Sequence, residues 1–144
     1  MKHRVVLDTN ILVAASRSRT GASFALLGLL RSQAFVPLVS VPLLLEYEAV
    51  LKRPEHLAHG ARTPEMTDAF LDAFCLYAEA VHLHYLWRPQ TRDPADEMVL
   101  ETALNGQAHA LVTLNVADFG AAAPFNMPVM TPGRFLHLLK QEKV

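Results

Sequence analysis

Val5-Val6-Leu7-Asp8-Thr9-Asn10 is the stretch on which the fold turns. Three consecutive apolar residues near the start describe a strand buried on both faces, as in a parallel sheet. Asp8 is the first acidic side chain and stands where that strand ends; Ile11-Leu12-Val13-Ala14-Ala15 then resumes the apolar pattern. In open α/β sheets, ligands bind just outside the carboxyl ends of the strands. A carboxylate at this point is therefore placed to hold a cation. Asp8 or Asn10 can equally cap the next turn through a side-chain oxygen, and the stretch alone leaves the two roles level.

Outward from β-rich Arg4–Leu7, short strands are expected at Phe35–Val39, Val81–Leu83, Ala110–Thr113 and Pro128–Met130. Helices are expected at Leu12–Ser16, Ala22–Ser32, Val41–Lys52, Pro64–Ala80, Pro94–Asn105 and Pro132–Glu142. The alternation describes an α/β protein with a mainly parallel sheet. Pro37 sits inside the second strand, where a bulge or distortion is expected. Gly106 is placed to end the fifth helix and Thr131 to cap the sixth.

With 144 residues, the chain reads as one domain, 1–144, large enough to bury a core unaided. No apolar run approaches the roughly 18–20 residues needed to cross a bilayer, and Asp8 interrupts the first one too early for a signal peptide. The single cysteine, Cys75, excludes an internal disulfide framework and a cysteine-based zinc site. These features fit a cytoplasmic protein. A net charge of −1 gives no global attraction for nucleic acid, so any such binding rests on local patches.

Asp96 is the second informative acid. At about 100° per residue, Val99, Leu100, Ala103 and Leu104 share one face of Pro94–Asn105, with Asp96 near its middle and Glu97 and Glu101 to the side. Asp93 followed by Pro94 is an N-cap pattern that explains Asp93 and Glu97; it does not explain an inward Asp96. Glu46 lies on the border of the apolar face of Val41–Lys52, too deep to belong to the cap at Ser40, and a surface glutamate would sit there equally well. Leu111-Val112-Thr113-Leu114-Asn115 with Asp118 repeats the grammar of the first strand, although Asn115 or Asp118 also suits an Asx turn. Carboxylates converging on one rim repel and raise each other's pKa values. A divalent cation removes that penalty, and oxygen-only ligands suit Mg²⁺ or Mn²⁺.

Asp8-Thr9-Asn10, Ser40 with Glu46, Arg92-Asp93-Pro94-Ala95-Asp96 and Val112-Thr113-Leu114-Asn115 with Asp118-Phe119 together resemble the PIN-domain ribonucleases. The likeness is to the VapC-like toxins of toxin–antitoxin systems, and it runs from Val5 to about Leu139. The resemblance implies a parallel sheet of order 3-2-1-4-5 flanked by helices, with an acidic cleft that binds Mg²⁺ or Mn²⁺. Asp8, Glu46 and Asp96 match the three core acids, and Asp118 a less regular fourth. Thr9, Asn10 and Thr113 match supporting polar positions, whereas Asn115 stands where many relatives have Asp. The implied reaction is metal-assisted hydrolysis of RNA phosphodiesters. The implied partners are RNA, an antitoxin protein and a second copy of the chain.

Arg17, Arg19, Arg88 and Arg92 are candidates for contacts to flanking phosphates, or are ordinary solvated arginines. Tyr85 and Trp87 could stack on a base or meet a protein partner. The pairs His82/His84 and His56/His59 read as surface or packing residues, and Cys75 as core. Two rival readings remain. One is a catalytically silent PIN-like module that binds RNA or protein, which Asn115 keeps open. The other is a haloacid-dehalogenase-like phosphatase, which requires a second Asp where this chain has Asn10.

Overall fold

Val5, Val6 and Leu7 are fully buried, as a strand apolar on both faces must be. In the computed structural model, which describes residues 2–85 and 93–142, they belong to β1 (His3–Leu7) at the centre of the sheet. On one side β1 pairs with β2 (Phe35–Val39), which is flanked by β3 (Glu79–Ala80); on the other it pairs with β4 (Ala110–Val112), flanked by β5 (Val129–Met130). Every pairing is parallel and the order is 3-2-1-4-5, as the resemblance implies. The strand connections carry α1 (Thr9–Arg17), α2 (Ala22–Gly28), α3 (Val41–Leu51), α4 (Pro54–His59), α5 (Pro64–Tyr77) and α6 (Pro94–Asn105). A 3-10 segment (Val116–Phe125) leads toward β5, and α7 (Pro132–Gln141) closes the described chain.

The helices start where capping chemistry directs. Ser40 accepts a 3.4 Å bond from the Leu43 amide, Thr63 and Thr131 accept 3.2 Å bonds three residues on, and each is followed by a proline in the first turn. α6 has the expected limits, with Asp93 accepting from the Ala95 amide at 3.0 Å. Edge-to-face pairs, Tyr47 on Phe74 and Phe35 on Phe135, tie helices and strands into the core.

Several expectations are corrected. α1 begins at Thr9 rather than Leu12, and α2 ends at Gly28 rather than Ser32. β3 ends at Ala80, and residues beyond Val81 leave the sheet because Asn105 of α6 takes the backbone instead. The Asn105 Oδ1 accepts from the amides of His84 and Tyr85 at 2.9 and 3.0 Å. His82 and His84 are thus off the strand and exposed, and Cys75 is exposed rather than core. α4 and the 3-10 segment were not anticipated. Pro37 produces no bulge: the β1–β2 ladder reaches it in register with Val5 and stops there.

Gly106 does end α6, for a different reason from the one expected. Its φ is −82°, and the left-handed residue of the helix end is Gln107, at +51°. The Gln107 amide bonds to Leu104 and the Ala108 amide to Ala103, the paired closure of a Schellman motif. Gly106 is required by packing instead. A Cβ there would lie 2.9 Å from Val81 Cγ2, 3.0 Å from Leu38 Cδ1 and 3.0 Å from the Thr102 carbonyl oxygen. Gly106→Ala is expected to lower stability by about 1–3 kcal/mol through overpacking, read as a fall in the urea midpoint; an unchanged midpoint would show that β2 and Val81 yield freely.

Candidate functional site

The carboxyl end of β1 delivers Asp8 to the rim of the sheet, 7% exposed. Asp8 stands at the N-cap position of α1 but makes no capping bond of good geometry. Its carboxylate is engaged across the sheet: the fully buried Thr113 hydroxyl, just beyond β4, donates to Asp8 Oδ2 at 2.6 Å. Thr113 Oγ1 in turn accepts from the Asn115 amide at 3.0 Å, and more weakly from Asn10 Nδ2 at 3.4 Å. Asn10 Oδ1 accepts from the Leu114 amide. The two strand ends with matching grammar in the sequence are therefore locked together. Burial raises the pKa of Asp8, the Thr113 hydroxyl and the amides of Thr9 and Asn10 oppose it, and the charge of Asp118 adds to the rise. Thr9 Oγ1 is buried with no hydrogen-bond partner among the described residues.

Asp96, on the first turn of α6, is half-buried, and its pKa is raised to about 7. Burial is the larger cause, followed by the charges of Asp8, Asp93, Asp118 and Glu97. Asp118 sits exposed at the start of the 3-10 segment. Three acids distant in sequence thus feel one another at one end of the sheet. Glu46, half-buried on α3, is not among the charges acting on Asp96. Arg17 and Arg19 are exposed at and after the far end of α1, away from the acids; Arg88, Arg92 and Trp87 lie outside the described residues.

Two features escaped the sequence. Glu97 and Glu101, placed to the side of the apolar face of α6, are buried to 5% and 1% exposure. α6 packs on the sheet, on α3 and on the 3-10 segment at once, so a single-face analysis cannot place its acids. Tyr47, assigned to the apolar stripe of α3, is fully buried and donates its hydroxyl to the Leu7 carbonyl at 2.5 Å. Its one advance signal was that a buried phenol needs a partner. Ser40 of α3 also reaches α6. Its hydroxyl lies 2.7 Å from that of Thr102, which donates to the Met98 carbonyl, so Ser40 is the donor between the two hydroxyls.

The donor set is all oxygen. Among the described residues no group of three or more acidic, histidine or cysteine side chains forms a preformed cage. Asp8 and Asp96 are the carboxylates of this rim that are at least half-buried and raised, and a carboxyl raised to about 7 is one that a divalent cation would relieve.

A family model described as PIN domain matches residues 4–117. Among solved structures, the chain is similar to the crystal structure of VapBC2 from Rickettsia felis bound to a DNA fragment from their promoter. The TM-score is 0.63 at 18% identity, over 89% of this chain and 98% of that one. At that identity the likeness is one of fold. No curated protein matches the sequence at a significant level.

Proposed function

The chain belongs to the PIN-domain family, and on that premise we propose that it is a metal-dependent ribonuclease, the toxin of a toxin–antitoxin pair. The observation that carries this reading is that the charges of Asp8 and Asp118 act on Asp96, and that of Asp118 on Asp8, at the carboxyl end of a 3-2-1-4-5 parallel sheet. Two carboxyls held above their ordinary range at one rim, Asp8 and Asp96, are explained by a cation that binds there.

Asp8 and Asp96 would hold Mg²⁺ or Mn²⁺, with Glu46 completing the set directly or through water and Asp118 as the fourth acid. When bound, the ion supplies Lewis-acid polarisation of a phosphate oxygen and activation of water. The rest is work for the chain itself. Thr113 favours the ionised form of Asp8 and fixes its orientation; Asn10 and the Asn115 amide hold Thr113 in place, and Thr9 offers a spare hydroxyl. Arg17, Arg19, Arg88 and Arg92 are assigned to flanking phosphates.

The Rickettsia felis structure is of VapBC2 on promoter DNA, which supports an antitoxin as partner. Val41, Leu45 and Leu76, 72%, 58% and 81% exposed, are apolar surface that a homodimer would cover. No helix among the described residues is long and apolar enough to cross a membrane; a cytoplasmic location is part of the proposal. The deciding experiment is incubation of a mixed RNA pool with Mn²⁺ or with EDTA. Cleavage in Mn²⁺ alone is expected. Binding without cleavage in either would favour the silent module that Asn115 leaves open.

A further inference from the structure

Beside the far end of α1 lies a depression of about 430 Å³ whose walls carry Arg17, Arg19 and Arg62 with Phe24, His59 and Met66. That is within the range of about 300–1,000 Å³ usual for ligand sites. Its mouth continues into an apolar cavity of about 260 Å³ that shares Phe24 and Arg62. Among the described residues none of the three arginines forms an ion pair. Arg62 is half-buried besides, and a guanidinium with no ion-pair partner is open to a bidentate anion.

The arginines are also held in place. Arg17 Nε donates to His56 Nδ1 at 3.2 Å and Nη2 to the Glu55 carbonyl at 3.4 Å, which fixes the guanidinium without neutralising it. Arg62 is set by the end of α4. Its amide bonds to the Leu57 carbonyl at 2.8 Å, after Ala61 adopts φ +51°. With the Ala61 amide bonded to the Ala58 carbonyl, this is the same Schellman closure that ends α6, and it fixes the backbone from which Arg62 projects. Phe24 and Met66, 42% and 48% exposed, add apolar surface beside the charges. Guanidinium groups with an exposed aromatic ring are what single-stranded nucleic acid uses, phosphate on the first and base on the second.

We propose that this depression is a subsite for a nucleotide of single-stranded RNA, with phosphate on Arg19, Arg62 and Arg17 and base against Phe24. The ligand's identity rests on the ribonuclease reading. α1 spans nine residues from beside Asp8 to Arg17, about 13 Å at 1.5 Å per residue, so the subsite takes a nucleotide a few positions from the bond cleaved. It selects for unpaired RNA, because only an unstacked base can meet the ring.

The test is fluorescence anisotropy of a labelled 12-nucleotide oligouridylate with the full chain in EDTA, which separates binding from cleavage. Arg19→Ala with Arg62→Ala is expected to weaken binding about tenfold or more and to flatten the slope of log affinity against log salt by about 1.4, at about 0.7 for each phosphate no longer neutralised. Phe24→Ala is expected to weaken binding at least about fivefold with the salt slope kept, and Phe24→Leu, which preserves apolar packing, to do the same. Wild-type affinity and slope in the arginine variant overturn the subsite, as does a Phe24→Leu protein that binds like wild type. An arginine variant that no longer binds a glutamate-rich peptide yet keeps its RNA binding also overturns it, in favour of a protein-docking groove. If RNA binding falls as expected while wild type fails to cleave in Mn²⁺, the subsite stands and the nuclease reading falls.

Discussion

Asp96→Asn is expected to reduce metal-dependent RNA cleavage by about 10³-fold while making the metal-free protein more stable at pH 8. The loss of activity follows from removing one of the carboxylates assigned to the cation, an electrostatic contribution of the size enzymes place at developing charge. Asp8→Asn should match it, and neither should unfold the chain. The gain in stability follows from the raised carboxyl. A folded-state pKa of about 7 against an ordinary 3.8 means that Asp96 is neutral in both states below about pH 4. As pH rises from about 4 to 7 the unfolded chain ionises first, so stability falls across that window and stays lower above it.

Unscreened, such a shift corresponds to about 4 kcal/mol; Asp96 is partly open to water, and screening brings the effect to about 1–2 kcal/mol. Asp96→Asn, lacking the titration, should show a flatter stability profile between pH 4 and 7. Mn²⁺ should raise the melting temperature of wild type and leave that of the variant unmoved. Cleavage retained by a pure Asp96→Asn preparation would remove this acid from the site.

Tyr47→Phe carries the second large expectation. The phenyl ring keeps its edge-to-face contact with Phe74, at 5.7 Å between centroids, so the change isolates one hydroxyl. The β1–β2 ladder ends at Val5 and Pro37, two residues short of Leu7, and Tyr47 supplies a donor to the Leu7 carbonyl in its place. Without it a buried acceptor goes unpaired, which costs about 1–3 kcal/mol, or several degrees in melting temperature for a chain of this size. Leu7 is the last residue before Asp8, so the variant is also expected to bind Mn²⁺ several-fold more weakly by calorimetry. Unchanged melting and metal affinity would mean that water or a shifted amide serves the carbonyl equally well.

What the sequence conveyed and what it withheld divide along physical lines. Val5–Leu7 were legible because a strand buried on both faces has no polar position to disguise it. α6 was legible to the residue because Asp93-Pro94 opens it and Gly106 closes it. The end of β3 was misplaced by three residues because it is set by Asn105, an amide on another element. Glu97 and Glu101 were misplaced because α6 is packed on several sides. Asp8, Asp96 and Asp118, whose charges act at one end of the sheet, stood out in the sequence by their positions at strand ends and a helix start. The bond from Thr113 to Asp8 was implied only as a supporting role. Tyr47 and Arg62 stayed hidden because one looks like core and the other like an ordinary loop arginine until their surroundings are known.

The bond between Thr113 and Asp8 joins groups 105 residues apart, and this separation has a consequence during synthesis. Translation delivers Asp8 105 residues before Thr113. Until then β1 lacks its neighbour β4, and Asp8 lacks the hydroxyl that orients it. On the reading proposed above, a chain still short of β4 would carry its acids without the geometry for cleavage, so activity would arrive only once that strand had been made.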